Sequence, residues 1–184
     1  GRMSRPSFHQ IYMDLAVSLS KRSTCARLSV GAVITSPDFR KVYAVGYNGN
    51  VAGGHNDCDR HGEEAVGNCG CLHAEENAVI NCDTARHHEK IVFCTHLPCV
   101  MCAKRLINLG GVKEVYYRTD YRKKDSLEIF EHHHIPAGWL SDPGLTAGGA
   151  QFAARESLSR YRQERVMAES AKRKAEEAAK KGKP

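Results

Sequence analysis

Two short segments constrain this chain more than anything else in it. One is Cys71-Leu72-His73-Ala74-Glu75-Glu76-Asn77; the other is Pro98-Cys99-Val100-Met101-Cys102. Twenty-five residues separate His73 from Cys99, room for a helix, a loop and a strand. One imidazole and two thiolates are a three-ligand set for zinc with a fourth position open, the pattern of a catalytic rather than a closed structural centre. Glu75, two residues past His73, can face that position. Zinc lowers the pKa of a bound water to about 7, and a carboxylate beside it can take one proton and hand it to a leaving group. A lone C-x-x-C is also found as a redox pair or as half of a structural zinc site, and a lone H-A-E is common by chance. The two together, in this order and at this distance, point to a zinc enzyme.

The remaining composition narrows the setting. A chain of 184 residues suits one domain with an appendage, and 41% hydrophobic residues are enough for a core. No apolar run approaches the ~20 residues of a membrane span. The first apolar segment is interrupted by His9, Gln10, Asp14 and Ser18, so no signal peptide is expected. Eight cysteines raise the question of disulfides, but Cys99 and Cys102 belong to the motif. Cys58, Cys69 and Cys71 cluster with His55 and His61 around one loop, which reads as metal binding in a reducing cytoplasm. The net charge of +6 sits in the tail. From residue 151 onward there are ten Lys/Arg and five Asp/Glu, while residues 1–150 carry 17 and 16. The domain is therefore close to neutral, which argues against a surface that tracks a polynucleotide.

Along the chain, Pro6-Ser7 opens a helix over 8–21, with Phe8, Ile11, Tyr12, Leu15 and Leu19 at helical spacing. Strands are expected over 30–35 and 42–46, joined by the turn Ser36-Pro37-Asp38 into an antiparallel hairpin. A glycine-rich loop from Gly46 to His55 follows; it matches no phosphate-binding fingerprint. A helix over 73–82 places His73 on its first turn. A strand over 91–95, a helix over 99–109 stopped by Gly110-Gly111, a strand over 112–117 and a helix over 126–133 complete the domain. His132, His133 and His134 read as a solvated or packed cluster. Residues 1–140 are thus read as one domain and 141–184 as a charged tail, helical or partly disordered. The later strand–helix alternation favours parallel pairing and the hairpin adds an antiparallel member. The expected fold is α/β, a three-layer α/β/α sandwich on a mixed sheet.

H-x-E followed by P-C-x-x-C is the signature of zinc nucleobase deaminases. With it stand in register Arg22-Ser23-Thr24-Cys25-Ala26-Arg27, Val30-Gly31-Ala32-Val33-Ile34, Gly46-Tyr47-Asn48-Gly49 and Val115-Tyr116-Tyr117. Over about residues 5–130 the chain resembles the deoxycytidylate (dCMP) deaminases of the cytidine deaminase superfamily, the S-T-C and G-Y-N-G blocks pointing to the nucleotide branch. The resemblance implies a five-stranded mixed sheet and hydrolysis of dCMP to dUMP and ammonia, feeding thymidylate synthesis. It implies zinc held by His73, Cys99 and Cys102, with Glu75 as the proton carrier. Asn48 matches an asparagine that binds the sugar, and the Ala74 amide one that meets the base; Arg27, Thr95, Pro98, Tyr117, Arg118 and Tyr121 are the further substrate candidates. Many members are similar in being hexamers activated by dCTP with Mg2+ and inhibited by dTTP. The regulatory site then falls on Asn48, Gly49, Gly53, Gly54, His55 and Asp57, with Val51 standing where proline is usual. A second, structural zinc in some relatives implies ligands among Cys25, Cys58, Cys69, Cys71, His55, His61, His87 and His88, with Cys25 and Cys58 preferred.

Overall fold

A computed structural model describes residues 5–58, 69–121, 123–140 and 149–182, without the side chains of 149–152. His61 and the 141–148 part of the expected tail lie outside the described residues. Among the described residues, five helices, α1 (Phe8–Ser20), α2 (Ala74–Asn81), α3 (Val100–Leu109), α4 (Ser126–His132) and α5 (Gly149–Lys181), surround five strands. The strands are β1 (Gly31–Thr35), β2 (Val42–Tyr47), β3 (Lys90–His96), β4 (Val112–Thr119) and β5 (Ala137–Trp139). They form one sheet in the order β2-β1-β3-β4-β5. β1 runs antiparallel to both β2 and β3, and β3, β4 and β5 are parallel.

The sheet is covered on both faces, so its central strands alternate between two cores instead of between core and water. Met13 and Ala16 of α1 meet Val33, Ile91, Phe93 and Tyr116 on one face. Ala32, Ile34, Val92, Cys94, Val115 and Tyr117 pack on the other face with Ala74, Ala103, Leu106 and Phe130 of α2, α3 and α4. This is the expected sandwich. β5, three residues long, has no period that the sequence could show; it pairs with β4 through Val115–Ala137 to Tyr117–Trp139.

α5 differs from a wholly solvated tail. Leu158 and Tyr161 are buried, and Tyr161 donates from its hydroxyl to Asp125 Oδ1 at 2.7 Å. Arg162 makes a two-pronged pair with Glu128 at 2.9 and 3.0 Å. From residue 162 to 182 every position is exposed.

One glycine sets how closely α2 approaches the sheet. A Cβ on Gly46 of β2 would lie 2.2 Å from the Ala74 carbonyl oxygen and 2.6 Å from the Ala78 amide nitrogen, both backbone atoms that cannot swing aside. Gly46→Ala is therefore expected to push α2 off the sheet and lower the unfolding free energy by about 2 kcal/mol or more. Gly53→Ala, whose added Cβ meets nothing within 4 Å but sits at φ +77°, should cost only ~1 kcal/mol. Equal losses in denaturant titrations of the two variants would contradict the close-approach account.

Candidate metal centre

α2 and α3 begin at the same sheet edge, and each is opened by a putting of a ligand at its N-cap. His73 caps α2 and Cys99 caps α3, each in extended backbone geometry, and Cys102 lies in the first turn of α3. Cys99 Sγ accepts from the Cys102 amide at 3.5 Å, and Glu76 Oε1 accepts from the His73 amide at 3.1 Å. Glu76 Oε2 also pairs with Arg105 of α3 at 3.4 Å, tying the two helix starts together.

The result is a compact donor set. His73 Nδ1 lies 3.6 Å from Cys99 Sγ and 3.4 Å from Cys102 Sγ. Tetrahedral zinc with Zn–S of about 2.3 Å and Zn–N of about 2.0–2.1 Å places N and S ligands roughly 3.6 Å apart, so these residues fit the ion as they stand. Cys99 is drawn down to about 4 by its hydrogen bonds with Cys102 and His73, which leaves a thiolate ready to ligate. The neighbouring Cys102 thiol is pushed up by sharing that hydrogen bond and by burial, and His73 is raised mainly through Cys99. A divalent cation at this point satisfies all three groups at once.

Glu75 lies in the first turn of α2 and is 4% exposed. Burial pushes its carboxyl up to about 7, against the opposing pull of the His73 charge. It lines a cavity of about 450 Å³, the size of a small-ligand site. His73, Cys99 and Ala74 share that cavity, as do Arg27, Asn48 and Tyr121.

The other expected substrate residues fall elsewhere. Tyr117 is fully buried in the core, because its position in β4 points it at the helix layer. Arg118 lies on the exposed side of β4, and its carbonyl accepts from Trp139 Nε1 at 2.6 Å. Thr95 is buried behind the wall, its Oγ1 accepting from the Gly31 amide at 3.1 Å and bonded to His96 Nδ1 at 3.0 Å. Pro98 is buried between the lining residues Leu97 and Cys99. Asn48 faces the cavity but also braces it: Oδ1 accepts from the Val30 amide at 2.8 Å and Nδ2 donates to the Leu28 carbonyl at 2.6 Å. Leu28, His96, Thr119 and Asp120 line the cavity and were not expected. Thr119 and Asp120 were missed because β4 runs two residues past the expected end; the carboxyl ends of parallel strands are where α/β folds place ligands.

A second donor set stands beside the first. Cys25, Cys58, Cys69 and Cys71 bring their sulfurs within 4.8 Å of one another. Cys25–Cys58 and Cys25–Cys69 are 3.7 Å apart and Cys58–Cys71 3.5 Å, far beyond a disulfide bond and near the roughly 3.8 Å of thiolates around tetrahedral zinc. All eight cysteines are free thiols. Burial pushes Cys25 up, but hydrogen bonds from the Arg27 and Leu28 backbone and from Cys58 and Cys69 outweigh it and bring the thiol to about 7. Histidines take no part in this set among the described residues: His55 is exposed on its loop, and His87 and His88 are exposed at the turn before β3. The loop residues 51–57 are exposed, and Gly49 is bridged to Leu72 by paired backbone bonds of 3.1 and 2.8 Å. No helix among the described residues is long and apolar enough to cross a membrane.

Known proteins share this arrangement. The family described as "Cytidine and deoxycytidylate deaminase zinc-binding region" matches residues 6–119, more than half of the chain. ComE operon protein 2 of Bacillus subtilis is 38% identical over 133 residues, covering 70% of this chain and 69% of that protein. The deoxycytidylate deaminase of Schizosaccharomyces pombe is 35% identical over 128 residues, covering 64% of this chain and 38% of its own length. The chain thus spans well under half of that relative. Among solved structures, the dCMP deaminase of cyanophage S-TIM5 in complex with dCMP and dUMP superposes with a TM-score of 0.65 at 32% identity, covering 75% of this chain and all of that one. On these matches and this geometry, the chain belongs to the deoxycytidylate deaminase family, within the cytidine deaminase superfamily.

Proposed function

We propose that this protein hydrolyses dCMP to dUMP and ammonia and so supplies dUMP for thymidylate synthesis. The observation that carries this reading is the buried Glu75 carboxyl in the same cavity as His73 and Cys99, two members of the donor set that Cys102 completes from behind. When bound there, zinc supplies a water acidified toward neutrality as the nucleophile. Glu75 would be the proton carrier: its carboxyl would accept one proton and deliver it to ring nitrogen 3, and would then pass a second proton to the departing amine. A carboxyl raised by burial can both accept and give near neutral pH. The backbone amide of Ala74 meets the base, Asn48 holds the sugar, and Arg27 and Tyr121 bind the 5′-phosphate end; all four line the cavity. Support for the monophosphate comes from the cyanophage relative, whose structure holds dCMP and dUMP.

The finer assignments belong to the same reading. The second donor set holds a structural zinc through Cys25, Cys58, Cys69 and Cys71, and so braces the segments on which Arg27, Asn48 and His73 stand. The regulatory nucleotides, dCTP with Mg2+ as activator and dTTP as inhibitor, are taken by the loop that starts at the buried Asn48 and Gly49 and carries the exposed Gly53, Gly54, His55 and Asp57. The working assembly is a homo-hexamer, and free thiols throughout suit a reducing cytoplasm.

Glu75→Gln is expected to lower dCMP turnover by about 10²–10⁴-fold while zinc content stays unchanged; undiminished activity would sink the proton-carrier role. Metal analysis of the unaltered protein should give two zinc per chain, falling to one in Cys58→Ser with loss of thermal stability. A single zinc in both would remove the four-cysteine site. Turnover that rises with dCTP–Mg2+ and falls with dTTP supports the regulatory loop, and indifference to both removes it.

A further inference from the structure

Helix α5 follows the region shared with the family, residues 6–119, yet its docked part reaches the wall of the catalytic cavity. The contact runs through Asp120, the residue after β4, which lines the cavity together with Thr119 and Tyr121. Arg160 of α5 places Nη2 3.3 Å from Asp120 Oδ2 and 3.5 Å from Oδ1. Lys124 places Nζ 3.3 Å from the same carboxylate, but it also serves Glu164 of α5 at 3.0 Å. Two carboxylates and two cations therefore balance. Without Arg160, one lysine is left between two carboxylates, and the cavity wall gains a net negative charge.

Arg160 is held for this task. Its guanidinium carbon lies 5.8 Å from the centre of the Trp139 ring, and Trp139 is anchored by its indole N–H to β4. Tyr161 on Asp125 and Arg162 on Glu128 fix the register of α5 against the start of α4, just after Asp120 in the chain.

We propose that Arg160 is a positioning residue for substrate: through Asp120 it fixes and neutralises the cavity wall so that an anionic nucleotide is admitted. The helix that follows the shared domain is thus part of the binding machinery. This rests on the reading of dCMP as substrate. Arg160 and Asp120 are both partly exposed, at 46% and 36% of their side chains, and surface pairs of this kind contribute little to folding. The effect is therefore expected in substrate affinity and not in stability.

The test is steady-state deamination of dCMP by the zinc-loaded full chain and its variants. Arg160→Ala should raise KM about fivefold with kcat within about twofold, a rise that shrinks at high salt as screening takes over. Arg160→Lys should recover most of the loss. Asp120→Asn combined with Arg160→Ala removes the unbalanced charge and should give a lower KM than Arg160→Ala alone. An unchanged KM in Arg160→Ala, a fall in kcat with KM unaffected, or a double variant no better than the single one would overturn the inference. If the unaltered protein does not turn over dCMP, the substrate reading fails by itself. The same comparison made on dCMP dissociation constants then decides the inference, and no dCMP binding overturns it as well.

Discussion

Three donor atoms from two helix starts must meet within one ion's coordination distance, and the rest of the molecule is arranged around that requirement. His73 and Cys99 are N-caps, so their backbones have left the helical conformation and their side chains turn back toward the helix mouth. Both helices are seated on the same sheet face, α2 against β2 at Gly46 and α3 behind β3 and β4. The Glu76–Arg105 pair joins them. Two N-terminal dipoles then point at one place, which favours thiolate over thiol and steadies negative charge developing on a bound reactant. Glu75, one residue into α2, is buried by the same packing that positions the ligands, and burial is what raises its carboxyl to about 7. Ligand geometry and proton affinity thus have one structural origin.

The central motif was legible because its chemistry is local. H-A-E and P-C-x-x-C each occupy one helix start, and the alternation of strands and helices predicts that parallel pairing will bring those starts to one edge. Longer-range features were not legible. Tyr117 and Arg118 sit next to Thr119 and Asp120 in sequence, but the cavity opens only at the carboxyl end of β4, so where the strand ends decided which of them reach it: Tyr117, two residues further in, lies in the core. The four-cysteine cluster appeared in the sequence as a mixed set of cysteines and histidines; only the fold separates the converging thiols from the exposed His55, His87 and His88. Lys90 gave no signal at all. It is fully buried at the opposite end of β3, where its ammonium donates to the carbonyls of Ala85, His88 and Gly110 at 3.2, 2.7 and 2.9 Å and closes the turn before the strand. A charged residue inside is tolerated because the carbonyl cage replaces its water.

The C-terminal helix shows how composition misleads when only a few residues matter. Its charge-rich sequence describes residues 162–182 well, all of them exposed. It conceals that Leu158 and Tyr161 join the core of the domain, and that Arg160 between them then reaches Asp120 at the cavity wall. A short docking face attached to a long solvated helix gives the domain an added contact without requiring an enlarged core.

The most direct test of the account is to locate the metal by anomalous diffraction at the zinc edge in crystals of the zinc-loaded protein. A peak is expected about 2.3 Å from Cys99 Sγ and Cys102 Sγ and about 2.0–2.1 Å from His73 Nδ1, with Glu75 beside it and a non-protein fourth position. A zinc closed by a fourth protein ligand, or bound through the other imidazole nitrogen with Glu75 turned away, would contradict it.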